Sequence, residues 1–151
     1  MKNPKGAVLL TTAVLFVIAP IAAGQGTLQV AGKDYKLEHP VAYETKYFDN
    51  KAIVVLLCAK PIPVDKLKKA LKAGSDDDFT LFEPQVKLTF DPSGKLMSVF
   101  LWANNNSINF SGAVEGAKVD ANFANDKAHD KVALANEKCH FDVAFDTPIM
   151  K

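Results

Sequence analysis

Val86-Lys87-Leu88-Thr89-Phe90-Asp91-Pro92-Ser93-Gly94-Lys95-Leu96 reads as a strand, a tight turn and the start of a returning strand. Val86, Leu88 and Phe90 alternate with Lys87 and Thr89, the period of a half-buried strand. Asp91-Pro92-Ser93-Gly94 supplies a hydrogen-bonding carboxylate, a fixed φ and a glycine, each suited to a turn. The return run, Lys95 to Ala103, carries Trp102, the only tryptophan. Such a hairpin makes an antiparallel β-protein the first expectation.

The flanking sequence repeats the theme. Gly26-Thr27-Leu28-Gln29-Val30 meets Ala31-Gly32-Lys33-Asp34, and Tyr35-Lys36-Leu37-Glu38 returns with period two. Val41, Tyr43, Thr45 and Tyr47 share one face of the next strand, opposite Glu44 and Lys46. Asp49-Asn50 is expected to turn the chain. Ala52-Ile53-Val54-Val55-Leu56-Leu57-Cys58 is apolar on both faces, as a central, doubly covered strand should be. Pro61 and Pro63 end it, because proline cannot continue a central ladder.

One helix follows. Asp65 is expected as its N-cap, Leu67, Ala70 and Leu71 as its apolar stripe, and Gly74 as its stop. Lys66, Lys68, Lys69 and Lys72 form a solvated basic face. Ser75-Asp76-Asp77-Asp78 reads as a loop, without the alternating ligand positions and closing glutamate of a calcium loop. Asn104-Asn105-Asn106 marks a turn. Ile108-Asn109-Phe110 and Lys118 to Phe123 read as short strands, Asn125 to Lys131 as a polar loop, and Cys139 to Phe145 as a final alternating strand. The expected fold is mainly β: an antiparallel sandwich or barrel of about nine strands, with one short helix at about residues 65–73.

The N-terminus reads as an address. Lys2 and Lys5 precede the apolar run Ala7–Ala19, Pro20 breaks it, and Ala22-Ala23-Gly24 offers a cleavage site. Residues 1–24 are therefore expected to be a signal peptide and 25–151 a single β-rich domain, secreted or periplasmic. No stable membrane insertion is expected after cleavage near Gly24. All 17 acidic residues fall in the mature part, with every lysine except Lys2 and Lys5, so its charge is close to zero. That balance gives no electrostatic case for nucleic acid. The chain also contains no arginine, the usual fork for phosphate and guanine recognition.

Several of these runs resemble a group of small secreted bacterial proteins of uncharacterised function. The likeness is carried by the glycine-turn hairpin before Ala42-Tyr43. It continues in Ile53-Val54-Val55-Leu56-Leu57 leading into Pro61-Ile62-Pro63 and a short helix. It ends in Phe141-Asp142-Val143-Ala144-Phe145-Asp146-Thr147-Pro148-Ile149. The resemblance implies a bacterial exported protein and assigns no catalytic residue.

Candidate chemistry is sparse. Cys58 and Cys139 both fall at inward positions, and an exported domain favours pairing, so a structural disulfide is expected. Without a Cys-x-x-Cys motif, no redox role is expected. His140, Asp142 and Asp146 share the polar face of the last strand. They would need ligands such as His39, or His129 with Asp130, brought close by the fold to hold a metal. A solvated face is the simpler reading; no metal and no cofactor are expected. No serine sits in a Gly-x-Ser-x-Gly setting, so no catalytic residue is assigned. The most ligand-like constellation is Trp102 with Asn104 and Asn106, an aromatic beside amide donors and acceptors that could hold a sugar; a core tryptophan followed by a turn is the plainer alternative. The functional expectation is an exported, non-enzymatic β-domain that binds an unknown protein or a small ligand. A small secreted hydrolase with a spatially assembled site, or a barrel carrying an apolar ligand, are the alternatives.

Overall fold

A computed structural model describes residues 23–74 and 83–151. The expected signal peptide up to residue 22, and the Ser75-Asp76-Asp77-Asp78 loop, lie outside the described residues. The strands are β1 (Ala23–Val30), β2 (Lys33–Leu37), β3 (His39–Tyr47), β4 (Asn50–Cys58), β5 (Gln85–Phe90), β6 (Leu96–Ala103), β7 (Asn106–Ser111), β8 (Lys118–Ala124), β9 (Lys127–Ala135) and β10 (Cys139–Met150). The helix α1 spans Val64–Lys72. The fold is mainly β, as expected, a curled sheet of ten strands forming a half-barrel. No helix among the described residues is long and apolar enough to cross a membrane.

The sheet bends into two layers of five strands. One runs β2-β1-β10-β9-β8 and the other β3-β4-β5-β6-β7. β10 belongs to both. Its residues up to Pro148 lie between β1 and β9, and Ile149 and Met150 then pair in parallel with Ala42 and Tyr43 of β3. The other pairings are antiparallel.

Turn chemistry explains the hairpins. Four two-residue connections place both residues at positive φ: Ala31-Gly32, Phe48-Asp49, Asn104-Asn105 and Asn125-Asp126. That geometry matches the right-handed twist of the strands it joins. The β5–β6 turn is held by Asp91, whose Oδ1 accepts from the Ser93 N–H at 2.8 Å, the Ser93 hydroxyl at 2.5 Å and the Lys95 N–H at 3.1 Å. The Ser93 hydroxyl in particular holds the Asp91 carboxyl below its usual range.

The main core fills the space between the layers. Leu28, Phe141, Val143 and Leu134 from one layer meet Val55, Leu57, Leu88, Phe90 and Leu101 from the other. A second cluster lies on the outer side of β3 and β4, where Tyr43, Val54, Leu56 and Cys58 are covered by Ile62 and by Leu67 of α1. The run Ala52–Cys58 is buried on both faces for this reason. Burying one leucine such as Leu67 is worth about 1.5–3 kcal/mol, and that contact anchors a helix whose other face is lysine.

Three expectations need correction. Strand β9 covers much of the stretch expected as a loop; only Asn125 and Asp126 form the turn. Its alternation, Ala128-Asp130-Val132-Leu134 inward, is masked in the sequence by a carboxylate at a core position. The helix begins one residue early, at Val64. Pro63 occupies the N-cap, where its carbonyl accepts from the Lys66 and Leu67 N–H groups, and Asp65 sits in the first turn. Finally, Cys58 and Cys139 form no disulfide; both are free and buried. Cys139 points into the space between the layers, whereas Cys58 points to the helix side of β4. A sheet separates two thiols that the sequence placed inward without saying toward which core.

Candidate functional site

Trp102 is where parity decides the outcome. Along β6, Val99, Leu101 and Ala103 point into the main core, so Ser98, Phe100 and Trp102 point outward. Phe100 and Trp102, two residues apart, stack with ring centroids 6.2 Å apart and 23° between planes. Both are half-buried rather than core. The neighbouring strands surround them with polar groups. Gln85 of β5 and Ser107 of β7 pair with Trp102; Lys87 and Asn109 pair with Phe100. Directly opposed side chains lie about 4.5–5.5 Å apart at Cβ, within contact range.

Gln85 is the unusual member of this set. It is only 1% exposed. Its Oε1 accepts a weak bond from the Cys58 Sγ–H at 3.9 Å, and its Nε2 has no hydrogen-bond partner among the described residues. A buried amide donor left unmatched costs about 1–3 kcal/mol. Burial also pushes the Cys58 thiol up to about 12, which keeps it a neutral, weak donor.

The asparagines expected beside Trp102 are elsewhere. Asn104 and Asn105 form the β6–β7 turn. The Asn104 side chain accepts from Lys33 Nζ at 3.2 Å, and the Asn105 N–H donates to Glu83 Oε2 at 3.1 Å. Asn106 donates from Nδ2 to the Asn104 carbonyl at 3.1 Å and pairs with Ala103, on the opposite parity from Trp102. The fold thus gives Trp102 the polar neighbours Gln85, Lys87, Ser107 and Asn109, none of which is adjacent to it in sequence.

The other layer carries the titratable residues. His140, Asp142 and Asp146 face outward along β10, and His129 of β9 pairs with Asp146 and with Asn122 of β8. A trough of about 490 Å³ here is lined by His129, Asp146, Lys131, Asp120 and Gln25. No group of three His, Cys, Asp or Glu among the described residues is placed to hold a metal ion.

Asp130 lies on β9 with the opposite parity, among core residues, and is 5% exposed. Its Oδ1 accepts the Asn122 backbone N–H, and its Oδ2 has no partner among the described residues. Burial first, and the Asp120 charge to a lesser degree, raise its carboxyl to about 7 against the Asn122 hydrogen bond. The sequence signal was available: Asp130 occupies the inward slot of an alternating strand. Asp130 lines the same trough as His129, Asp146 and Asp120, reaching it from the inward parity of β9.

Comparison with family models, with curated proteins and with solved structures finds no match to this chain.

Proposed function

We propose that this chain is an exported, non-enzymatic β-domain that binds a carbohydrate-type ligand on the outward face of β5, β6 and β7. The Phe100–Trp102 stack carries this reading. A sugar ring presents C–H groups that pack on an aromatic face, and hydroxyls that need donors and acceptors around its rim. Lys87, Ser107 and Asn109 supply that rim, above the buried Gln85. The absence of arginine favours a neutral polyol over a phosphorylated ligand. Side chains of both layers occupy the main core, which favours a surface site over a barrel carrier. Export rests on the leader pattern; cleavage near Gly24 would leave Gln25 to Val30 paired with β10.

Because Trp102 is the only tryptophan, its fluorescence reports on the site directly. Titration with a panel of neutral oligosaccharides should shift its emission. Trp102→Ala should abolish binding measured by calorimetry. Asn104→Ala and Asn106→Ala should leave it unchanged. Binding that survives Trp102→Ala, or a panel without a single response, would remove the reading.

A further inference from the structure

Asp130 is a carboxylate that the sugar-binding face of the other layer leaves unused. It is 5% exposed, its Oδ1 accepts the Asn122 N–H, and its Oδ2 has no hydrogen-bond partner among the described residues. A buried acceptor without a donor is a cost the fold carries until a ligand supplies one. Asp130 lines the trough of about 490 Å³ formed on β8, β9, β10 and β1, the size of a small-molecule site. Asp120 of β8 and Asp146 of β10 line it too, against a single lysine, Lys131 of β9. The residues from β1 are uncharged.

The acidic character extends beyond this trough. A neighbouring trough of about 690 Å³ shares Gln25, Lys131 and Ala144 with it, and adds Glu38, Asp142 and Lys36. Five carboxylates thus meet two lysines along this surface. Lys127 Nζ, at 3.7 Å, partly compensates Asp146; Asp130 has no such cation.

The missing group is a donor that carries positive charge. An anion would be repelled, and a neutral hydroxyl would leave the carboxylates uncompensated. A metal ion needs several ligands around one point, and no group of three His, Cys, Asp or Glu among the described residues is so placed. An ammonium brings three N–H donors and a full charge, and can engage one carboxylate at a time. The floor suits an aliphatic body. Ala144 lies on β10 between Asp142 and Asp146, which are separated by roughly 13 Å along the strand. That separation fits several ammoniums joined by methylenes better than one ammonium alone. We propose that this trough is a second binding site, for an aliphatic polyamine, with one ammonium against Asp130 and Asp120 and the methylene chain laid over Ala144.

Protons give the site a signature. Burial first, and the Asp120 charge to a lesser degree, raise the Asp130 carboxyl to about 7, so near neutral pH it is protonated part of the time. Asp120 of β8, His129 and Lys131 of β9 and Asp146 of β10 are the charged or titratable groups around the trough. An ammonium seated there favours the carboxylate and expels its proton.

The test uses protein expressed as the full chain and recovered in the form the cell releases, with spermidine as the probe. Calorimetry near neutral pH, in two buffers of different ionisation enthalpy, should show one-site binding with release of a fraction of a proton. Asp130→Asn should weaken binding by about tenfold or more and abolish the proton release. Asp120→Asn, at an exposed position, should weaken binding without threatening the fold. Urea unfolding verifies that both variants are folded. Trp102→Ala, in the other layer, should leave spermidine binding unchanged, which separates this site from the sugar site. Backbone amide shifts should map to Gln25, Asn122, His129–Lys131 and Ala144. Cleavage near Gly24 could place the chain's own α-ammonium at Gln25 in the trough; spermidine would then not bind, and the proposal would fall. Absence of binding up to roughly 10 mM, undiminished binding in Asp130→Asn, no proton release, or shifts on another face would each overturn it.

Discussion

Asp130 is a carboxylate in a core position, and its behaviour with pH follows from that. Folding raises its pKa from 3.8 to about 7. Between those values the folded chain holds a proton that the unfolded chain releases. Its contribution therefore favours the fold at about pH 4 and declines as pH rises, reaching its full penalty above about 7. At 1.36 kcal/mol per unit the penalty is at most about 4 kcal/mol. Asp130→Asn keeps an acceptor for the Asn122 N–H and cannot ionise. The difference in urea stability between variant and parent should grow from pH 4 to pH 8 in the variant's favour. A flat difference would mean that Asp130 is ionised and solvated in the fold. The sequence held the clue, since Asp130 shares parity with Ala128, Val132 and Leu134, but a carboxylate there reads as a break in the pattern rather than as part of it. Trp102 was legible as a candidate for the opposite reason: aromatics are rare and its strand alternates cleanly. Its polar neighbours were not legible, because Gln85 and Asn109 reach it only through pairing of β5 and β7 with β6.

Turns and strands were legible wherever one residue type does one job. Asn104-Asn105 announces a left-handed turn because asparagine tolerates positive φ. Phe48-Asp49 does not, and the sequence places that turn one residue late, at Asp49-Asn50. Glycine inside a strand is the reverse case. Gly26 looks dispensable in an alternating run, yet it marks a close approach between β1 and β10. A Cβ at Gly26 would lie 2.5 Å from Val143 Cγ1 and 3.0 Å from the Asp142 carbonyl oxygen. Val143 is fully buried and cannot swing away into solvent. Gly26→Ala should therefore destabilise the fold by about 1–3 kcal/mol through overpacking, despite the better strand propensity of alanine. Gly32→Ala has open space around it but φ 74°, so its cost comes only from the backbone. Equilibrium urea unfolding of the two variants separates the mechanisms. If Gly26→Ala were neutral, β1 and β10 would have to be packed more loosely than the structure places them.

The two layers are joined by β10 and by the core between them, and neither requires oxidation. The sequence shows two cysteines at inward positions far apart in the chain, which in an exported domain suggests a staple. It does not show that β4 is covered on both sides, so that inward has two meanings. Cys58 packs with Leu56, Ile62 and Leu67 under the helix; Cys139 packs with Phe141 and the rest of the interlayer core. Pairing them would require carrying a side chain from one core through the sheet to the other. The chain forgoes the roughly 4–5 kcal/mol that closing so long a loop supplies on the entropy model. Burial compensates in a chemical sense. It raises both thiols, Cys58 to about 12, so neither carries the thiolate that reacts with oxidants. Free thiols can thus persist even in an oxidising compartment. Titration of the native protein with an aromatic disulfide reagent should find no reactive thiol, and unfolding in urea should expose two per chain. The urea midpoint should be the same with and without reductant. Fewer than two thiols on unfolding, or a midpoint that falls when reductant is added, would show that the cysteines are joined after all.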